Sequence, residues 1–354
     1  MVNASPKITI GIIGCGRVAQ ERHLPALKLI PNIQIVAVAD PDPHRVQRLA
    51  DQYNIPQQYT DYKDLIHDSK VDAVAILTPT GSHAEIGLAA MDANKHLFIE
   101  KPLALTLEEC DRLANKSKEL SAKTIICFNL RWHRLIQQAC SLINAGALGK
   151  IHAVRSEYTH FRDGSKAPDW HRILDKGGGV TFNESVHHID LWRFLLQKEV
   201  ADVFACHHAD EFYQDASSMI CVRFADNSLG STYNTFKTSP NSEIEILGEK
   251  GRLSVNLYRF DGLDFFPCHQ YPGSILTRIN RIPNTIKHFG QALAFKKMGG
   301  DFQATFCAIW RHFIDCIIND KEPCATLEDG KWATEISLAA IESFKTNKMI
   351  HLTD

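Results

Sequence analysis

Three groups of side chains have the types and spacing to do chemistry. The first is Glu100-Lys101-Pro102, which closes the apolar run His96-Leu97-Phe98-Ile99. A lysine at the carboxyl end of a buried strand stands where open α/β sheets bind their ligands. Pro102, with a fixed φ and no N–H, ends the strand and sets the direction in which Lys101 leaves it. A cation held there orients an oxygen and stabilises negative charge developing on it. Taken by itself, Lys101 reads as an exposed turn lysine; the other two groups change that reading.

The second group is Gly14-Cys15-Gly16-Arg17-Val18-Ala19, which follows the β-branched run Ile8 to Ile13 and opens a helical stretch from about Val18 to Leu29. This is a G-x-G-x-x-G/A pattern in its required strand–turn–helix context. Its glycines allow a tight turn and close backbone approach to a pyrophosphate, which then meets the N–H groups of a helix amino terminus. Asp40 ends the next strand, Ile33 to Ala39. A carboxylate there binds the adenosine ribose hydroxyls and repels a 2′-phosphate, which favours NAD, while Arg45 keeps NADP open. Leu77-Thr78-Pro79-Thr80-Gly81 follows the third strand and places Thr78 and Pro79 at the same crevice. Ser82-His83-Ala84-Glu85 reads as a capping box with Ser82 as N-cap. His83 is then either a cofactor-side residue or a first-turn helix residue.

The third group is Gly177-Gly178-Gly179 leading into Val180-Thr181-Phe182-Asn183-Glu184-Ser185-Val186-His187-His188-Ile189-Asp190. On a helix, Asn183, His187 and Asp190 stand at i, i+4 and i+7 and share a face. The glycine run lets the helix end approach a ligand closely. His187 then serves as general base on a hydroxyl, and Asn183 holds a neighbouring hydroxyl as donor and acceptor. The competing readings are a packing or surface histidine pair, or a His-His metal site. The latter lacks a third ligand at regular spacing, so no metal is expected.

The elements that must position these groups change character along the chain. Up to about residue 128 short apolar strands alternate with helices: Pro43 to Tyr53, Val71 to Leu77, Ser82 to Ala93, Leu107 to Leu120 and Thr124 to Phe128 join those above. Such alternation implies a mostly parallel, doubly wound sheet covered on both faces. After a helix at Leu135 to Ala145 come strand-like segments: Ile151 to Tyr158, Val200 to His207, Ser217 to Phe224, Ser228 to Thr235, Glu243 to Leu247 and Arg252 to Leu257. The last two are joined by the hairpin signal Gly248-Glu249-Lys250-Gly251. The expectation is a Rossmann domain over 1–128 and an α+β domain with a large open antiparallel sheet over 129–354. A final helix, near 328–345 and starting behind Glu328-Asp329, packs back toward the N-terminal domain.

With 354 residues, 44% hydrophobic and 23% charged, the chain is long enough for two ordinary globular cores. A net charge of −2 offers no case for nucleic acid or a membrane surface. No stretch is apolar for the length of a spanning helix, and Met1 to Lys7 lacks the apolar core of a signal peptide. The ten cysteines are scattered without a Cys-x-x-Cys pair, as expected of free thiols in the cytoplasm. Ser274 to Gly300 carries Arg278, Arg281, Lys287, Lys296 and Lys297 with almost no acids. It reads as a solvated helical insertion with snorkelling basic side chains, or as a basic lid over an anionic substrate.

Together the glycine fingerprint, Lys95 to Ala104 around Glu100-Lys101-Pro102, Gly146-Ala147-Leu148-Gly149-Lys150-Ile151, and Gly177-Gly178-Gly179 with His187-His188-Ile189-Asp190 resemble the glucose–fructose oxidoreductase / inositol dehydrogenase (Gfo/Idh/MocA) family over nearly the whole chain. The resemblance implies NAD(P)-dependent oxidation or reduction of a sugar, cyclitol or nucleotide sugar, and a homo-oligomer, dimer or tetramer, built through the C-terminal sheet. It implies that Lys101 contacts the reacting oxygen, that Glu100 lies near the nicotinamide ribose, and that His187 is the catalytic histidine. Four residues earlier the family often carries aspartate; here Asn183 leaves proton transfer to His187 and Lys101. The Asn-x-Ser-x-His-x-Ile-Asp arrangement is similar to members acting on nucleotide-linked sugars. Alternatives on the same fold are an NAD-dependent glycosidase or lyase using transient oxidation, and a non-catalytic NAD- or sugar-sensing regulator.

Overall fold

A computed structural model describes residues 7–271, 274–296 and 299–352. The chain forms two compact units, one of Met1–Asn129 with Phe306–Thr334, the other of Leu130–Thr305 with Glu335–Asp354.

In the first unit six parallel strands, β1 (Ile8–Ile13), β2 (Ile33–Ala39), β3 (Gln57–Tyr59), β4 (Ala73–Ile76), β5 (His96–Ile99) and β6 (Thr124–Ile126), lie in the order β3-β2-β1-β4-β5-β6. Every residue of β4 is buried, as in a parallel sheet covered on both faces. Because β2 and β4 flank β1, the strand order reverses at β1 and β4, and their carboxyl ends form the crevice where such sheets take ligands.

The helix behind the glycine loop, α1, begins as a π turn over Ala19–His23 and continues through Leu24–Leu27. Pro25 accounts for the widened turn, because a proline has no N–H to offer and its ring crowds the carbonyl four residues back. Its consequence is that His23 faces the core, fully buried. The other helices are α2 (Pro43–Tyr53), α3 (Tyr62–His67), α4 (His83–Asp92) and α5 (Leu107–Lys118). The capping box expected at Ser82 does not form, since the Ser82 hydroxyl bonds the Thr78 hydroxyl at 2.8 Å and the Pro79 carbonyl at 2.9 Å. Thr106 and Glu109 form one instead at the start of α5.

The second unit holds α6 (Arg134–Asn144), α7 (Asp169–Arg172), α8 (Val180–Asn183), α9 (Ser185–Leu196) and an eight-stranded sheet. Its strands are β7 (Ile151–Phe161), β8 (Val200–His208), β9 (Ser217–Phe224), β10 (Leu229–Thr235), β11 (Lys237–Gly248), β12 (Gly251–Asn256), β13 (Leu263–Pro267) and β14 (Ile350–His351), in the order β13-β12-β11-β7-β10-β9-β8-β14. The sheet is mixed rather than wholly antiparallel, because β7 and β10 pair in parallel. Burial alternates along β9, which puts Ile220, Val222 and Phe224 into the core and Met219, Cys221 and Arg223 on the outer face. Three long helices remain, α10 (Ile275–Lys296), α11 (Asp301–Ile318) and α12 (Leu327–Thr346). No helix among the described residues is long and apolar enough to cross a membrane.

A buried ion pair fixes α9. Arg131 Nη2 and Nε meet Asp190 Oδ1 and Oδ2 at 2.5 and 2.9 Å, and the guanidinium lies 5.2 Å over the Phe194 ring. Removing one partner strands a buried charge, so Arg131→Leu is expected to cost about 3–5 kcal/mol of stability. Arg131→Leu/Asp190→Leu, which strands nothing, is expected to recover most of it in urea unfolding.

Candidate active site

The first unit brings the glycine loop, Asp40, Thr78 and Glu100-Lys101 to the carboxyl ends of its central strands. Gly14 has φ +96°, and a Cβ there would lie 2.7 Å from the Leu77 carbonyl oxygen, so only glycine fits. A Cβ on Gly16 would meet nothing within 4 Å, which leaves the space before the loop clear. Asp40 Oδ2 accepts from the Cys15 N–H at 2.8 Å and Oδ1 from the Asp42 N–H at 3.0 Å. The carboxylate therefore shapes the glycine loop from the end of β2 and keeps lone pairs for ribose hydroxyls. Burial, then Asp40, pushes the Cys15 thiol up to about 12. Val18 is half-buried and Ala19 buried. Arg17 and Arg45 are exposed and lie beside Glu21 and Asp42 at 3.6 and 3.3 Å. These residues fit a dinucleotide: a cradle without side-chain bulk, a helix start behind it, and a carboxylate at the second strand.

Thr78 and Pro79 follow β4 at the same edge. His83 is buried, with Nδ1 2.8 Å from the Pro102 carbonyl and Nε2 2.9 Å from the Thr78 carbonyl. Its pKa is lowered, chiefly by burial. With both ring nitrogens against protein carbonyls, His83 braces the loop after β4 to the turn after β5.

Beyond Ile99 the Lys101-Pro102 bond is cis and Lys101 is half-buried. Beside it lies a network that the motifs did not announce. Glu100, buried, accepts from His23 Nε2 at 2.8 Å and from the Lys101 N–H at 3.1 Å. Trp310 of α11 donates its indole N–H to His23 Nδ1 at 3.1 Å, which leaves the proton on Nε2, directed at Glu100. Burial drives the Glu100 pKa up, but the His23 hydrogen bond, the Lys101 charge and the Cys127 thiol outweigh it and hold it at about 2. His23, Glu100 and Cys127 are close enough to ligate a cation. His23 has both nitrogens committed, so the cluster reads as a hydrogen-bond network.

In the second unit the glycine–histidine segment is two helices, not the continuous one assumed in pairing Asn183, His187 and Asp190 on one face. The break falls at Glu184, with φ −113° and ψ −42°. All three residues are buried. Asn183 Nδ2 donates to the Gly177 carbonyl at 2.9 Å, which ties the helix back to the glycine run. Asp190 is taken by Arg131, and the His187 ring lies 6.4 Å from that of Tyr158. His188 is fully buried, bonds the Ser242 hydroxyl at 3.1 Å and is pushed down to about 3 by burial. What approaches the glycines is the protein itself: a Cβ on Gly178 would lie 2.6 Å from the His171 carbonyl, and one on Gly179 2.8 Å from Asp215 Cβ. Asp215, fully buried, accepts from the Thr181 N–H at 2.8 Å. Burial pushes it up to about 6.

Residues 8–128 match the family described as an oxidoreductase family with an NAD-binding Rossmann fold, and residues 136–254 match the Gfo/Idh/MocA C-terminal domain. The chain belongs to the Gfo/Idh/MocA oxidoreductase family. It is 30% identical to the myo-inositol 2-dehydrogenase of Thermotoga maritima over 71% of this chain and 75% of that one. It is 26% identical to the scyllo-inositol 2-dehydrogenase (NAD(+)) of Bacillus subtilis over 98% and 96%. In fold it is similar to the WlbA dehydrogenase of Bordetella pertussis, crystallised with NADH and UDP-GlcNAcA, with a TM-score of 0.82, 22% identity and 98% of each chain covered. As a member of this family, the protein is an NAD-dependent oxidoreductase acting on CH–OH groups.

The depressed Glu100 pKa means that its contribution to stability is full above the ordinary carboxylate range and is lost as pH falls from about 4.5 toward 2. His23→Leu strands this carboxylate and is expected to cost about 3 kcal/mol at neutral pH. Without His23 the Glu100 pKa rises and protonation relieves the stranded charge, so the variant is expected to lose less stability than the parent as pH falls from about 4.5 toward 2, which thermal melts across pH would show.

Proposed function

We propose that this oxidoreductase moves a hydride between NAD and a secondary carbon of a polyhydroxylated ring, a cyclitol or a sugar, free or nucleotide-linked. The observation that carries the reading is Lys101, placed at the carboxyl end of β5 beside a carboxylate anchored from three sides, in the sheet that also presents the glycine loop. NAD, when bound, accepts or returns the hydride. Lys101 orients the reacting oxygen and offsets its developing charge. His187 takes or returns the hydroxyl proton. Asn183 keeps the glycine run and the start of α9 in register through Gly177. Asp40 selects the ribose end of NAD, with Gly14, Gly16, Arg17, Val18, Ala19, Arg45, Thr78 and Pro79 around the cofactor. Inositol dehydrogenases among the relatives support cyclitols first.

The reading extends to a cytoplasmic homo-oligomer. No disulfide joins any of the ten cysteines, and the outer face of the second unit's sheet leaves Phe204, Met219, Leu229 and Tyr233 exposed along neighbouring strands. These side chains are the apolar centre such a contact needs.

Lys101→Ala is expected to lower turnover by about a hundred- to a thousandfold while NAD still raises the melting temperature. The substrate is found by following NADH formation across cyclitols, sugars and nucleotide sugars. Near-normal turnover of the Lys101→Ala protein would contradict the assignment.

A further inference from the structure

Helix α10 carries an apolar stripe that lies largely open to solvent, with the Phe289 ring set edge-on to Phe260 at 5.9 Å. Ile275, Ile279, Ile282, Ile286, Phe289 and Leu293 follow one another at alternating intervals of four and three residues, and their exposure runs from 52% at Leu293 to 77% at Ile275. This spacing places all six on one face of the helix, along about 27 Å. The opposite face is the one held to the second unit. His288, buried, has Nδ1 2.9 Å from Arg134 Nη1, and Thr285 donates to Asp261 at 3.3 Å. An amphipathic helix normally turns its apolar face to the core; this one turns it outward, and six large apolar side chains in a row mark a surface that something covers.

Charge says what that is. Between Asp264 and Asp301 the sequence has no acidic residue, while Arg278, Arg281, Lys287 and Lys296 lie on the helix; Lys297 and Met298 lie outside the described residues. A second copy of α10 would suit the four–three spacing of a coiled coil. It would also bring together two segments that each carry several cations and no acid, which repel one another. A continuous apolar stripe on a helix rich in cations and free of acids matches the interface of an anionic bilayer. There the apolar side chains enter the acyl boundary and the cations meet lipid phosphates. We propose that α10 docks this protein, peripherally, on an anionic membrane surface. The whole-chain charge of −2 conceals the site because the acids lie elsewhere in the sequence. The helix lies on the membrane and does not span it, since cations interrupt its length.

The test is flotation of the full-length protein with vesicles of phosphatidylcholine alone and of phosphatidylcholine mixed with phosphatidylglycerol. The expected result is binding to the phosphatidylglycerol vesicles only, weakened by salt, and reduced by about tenfold or more in Ile282→Glu/Ile286→Glu. Both substitutions replace exposed side chains, so the NAD-dependent rise in melting temperature is expected to be unchanged and shows that the variant is folded. No binding to phosphatidylglycerol vesicles would overturn the proposal, as would equal binding by the folded variant. A variant that loses an oligomeric state held by the wild type, when neither binds vesicles, would overturn it by making the stripe a seam between subunits.

Discussion

The first unit is built around a carboxylate that has left water. Glu100 sits at the end of a central strand with almost no solvent contact, where an ionised acid survives only if donors and cations surround it. His23 supplies a hydrogen bond from the fingerprint helix, the Lys101 N–H one from its own turn, and Cys127 stands behind. Each donor has a structural requirement of its own. His23 reaches inward because Pro25 widens the preceding turn, and its tautomer is set by Trp310. The chain segment carrying Lys101 is thus anchored by parts of the sequence that carry no reactive group.

The second unit solves a similar problem with different pieces. The helix bearing His187 and His188 and the short α8 before it are buried along most of their length, so their polar groups need partners. Asp190 finds Arg131, Asn183 finds the Gly177 carbonyl, and His188 finds Ser242. The glycines serve this packing directly, because their missing Cβ atoms make room for His171 and Asp215. The close approach expected for a ligand is taken up, at Gly178 and Gly179, by the protein's own backbone and side chains.

Much of this was legible in the sequence, and the reasons for the exceptions are physical. β1, β2, α2, β5 and β9 have the expected bounds because apolar pattern and turn residues agree there. β3 and α3 escaped because Gln57-Gln58-Tyr59 has no apolar signature. The parallel pairing of β7 with β10 escaped because local hairpin signals say nothing of a crossover. Glu100 and Lys101 announced themselves by motif, whereas His23 and Trp310, 287 residues apart, meet only in the folded chain. The proline two residues after His23 was the available signal. The four–three spacing of α10 shows a stripe but not its exposure, because such a stripe ordinarily faces the core.

On the proposed role of Lys101, the Trp310–His23–Glu100 chain acts by holding the turn that carries it. Trp310→Phe keeps the aromatic packing and removes the one N–H that sets the His23 tautomer. The most direct measurement is the single-turnover rate of NADH formation by this variant at saturating polyol, beside its NAD dissociation constant. A slower rate with an unchanged dissociation constant is expected. An unchanged rate, or a loss confined to NAD affinity, would contradict that role.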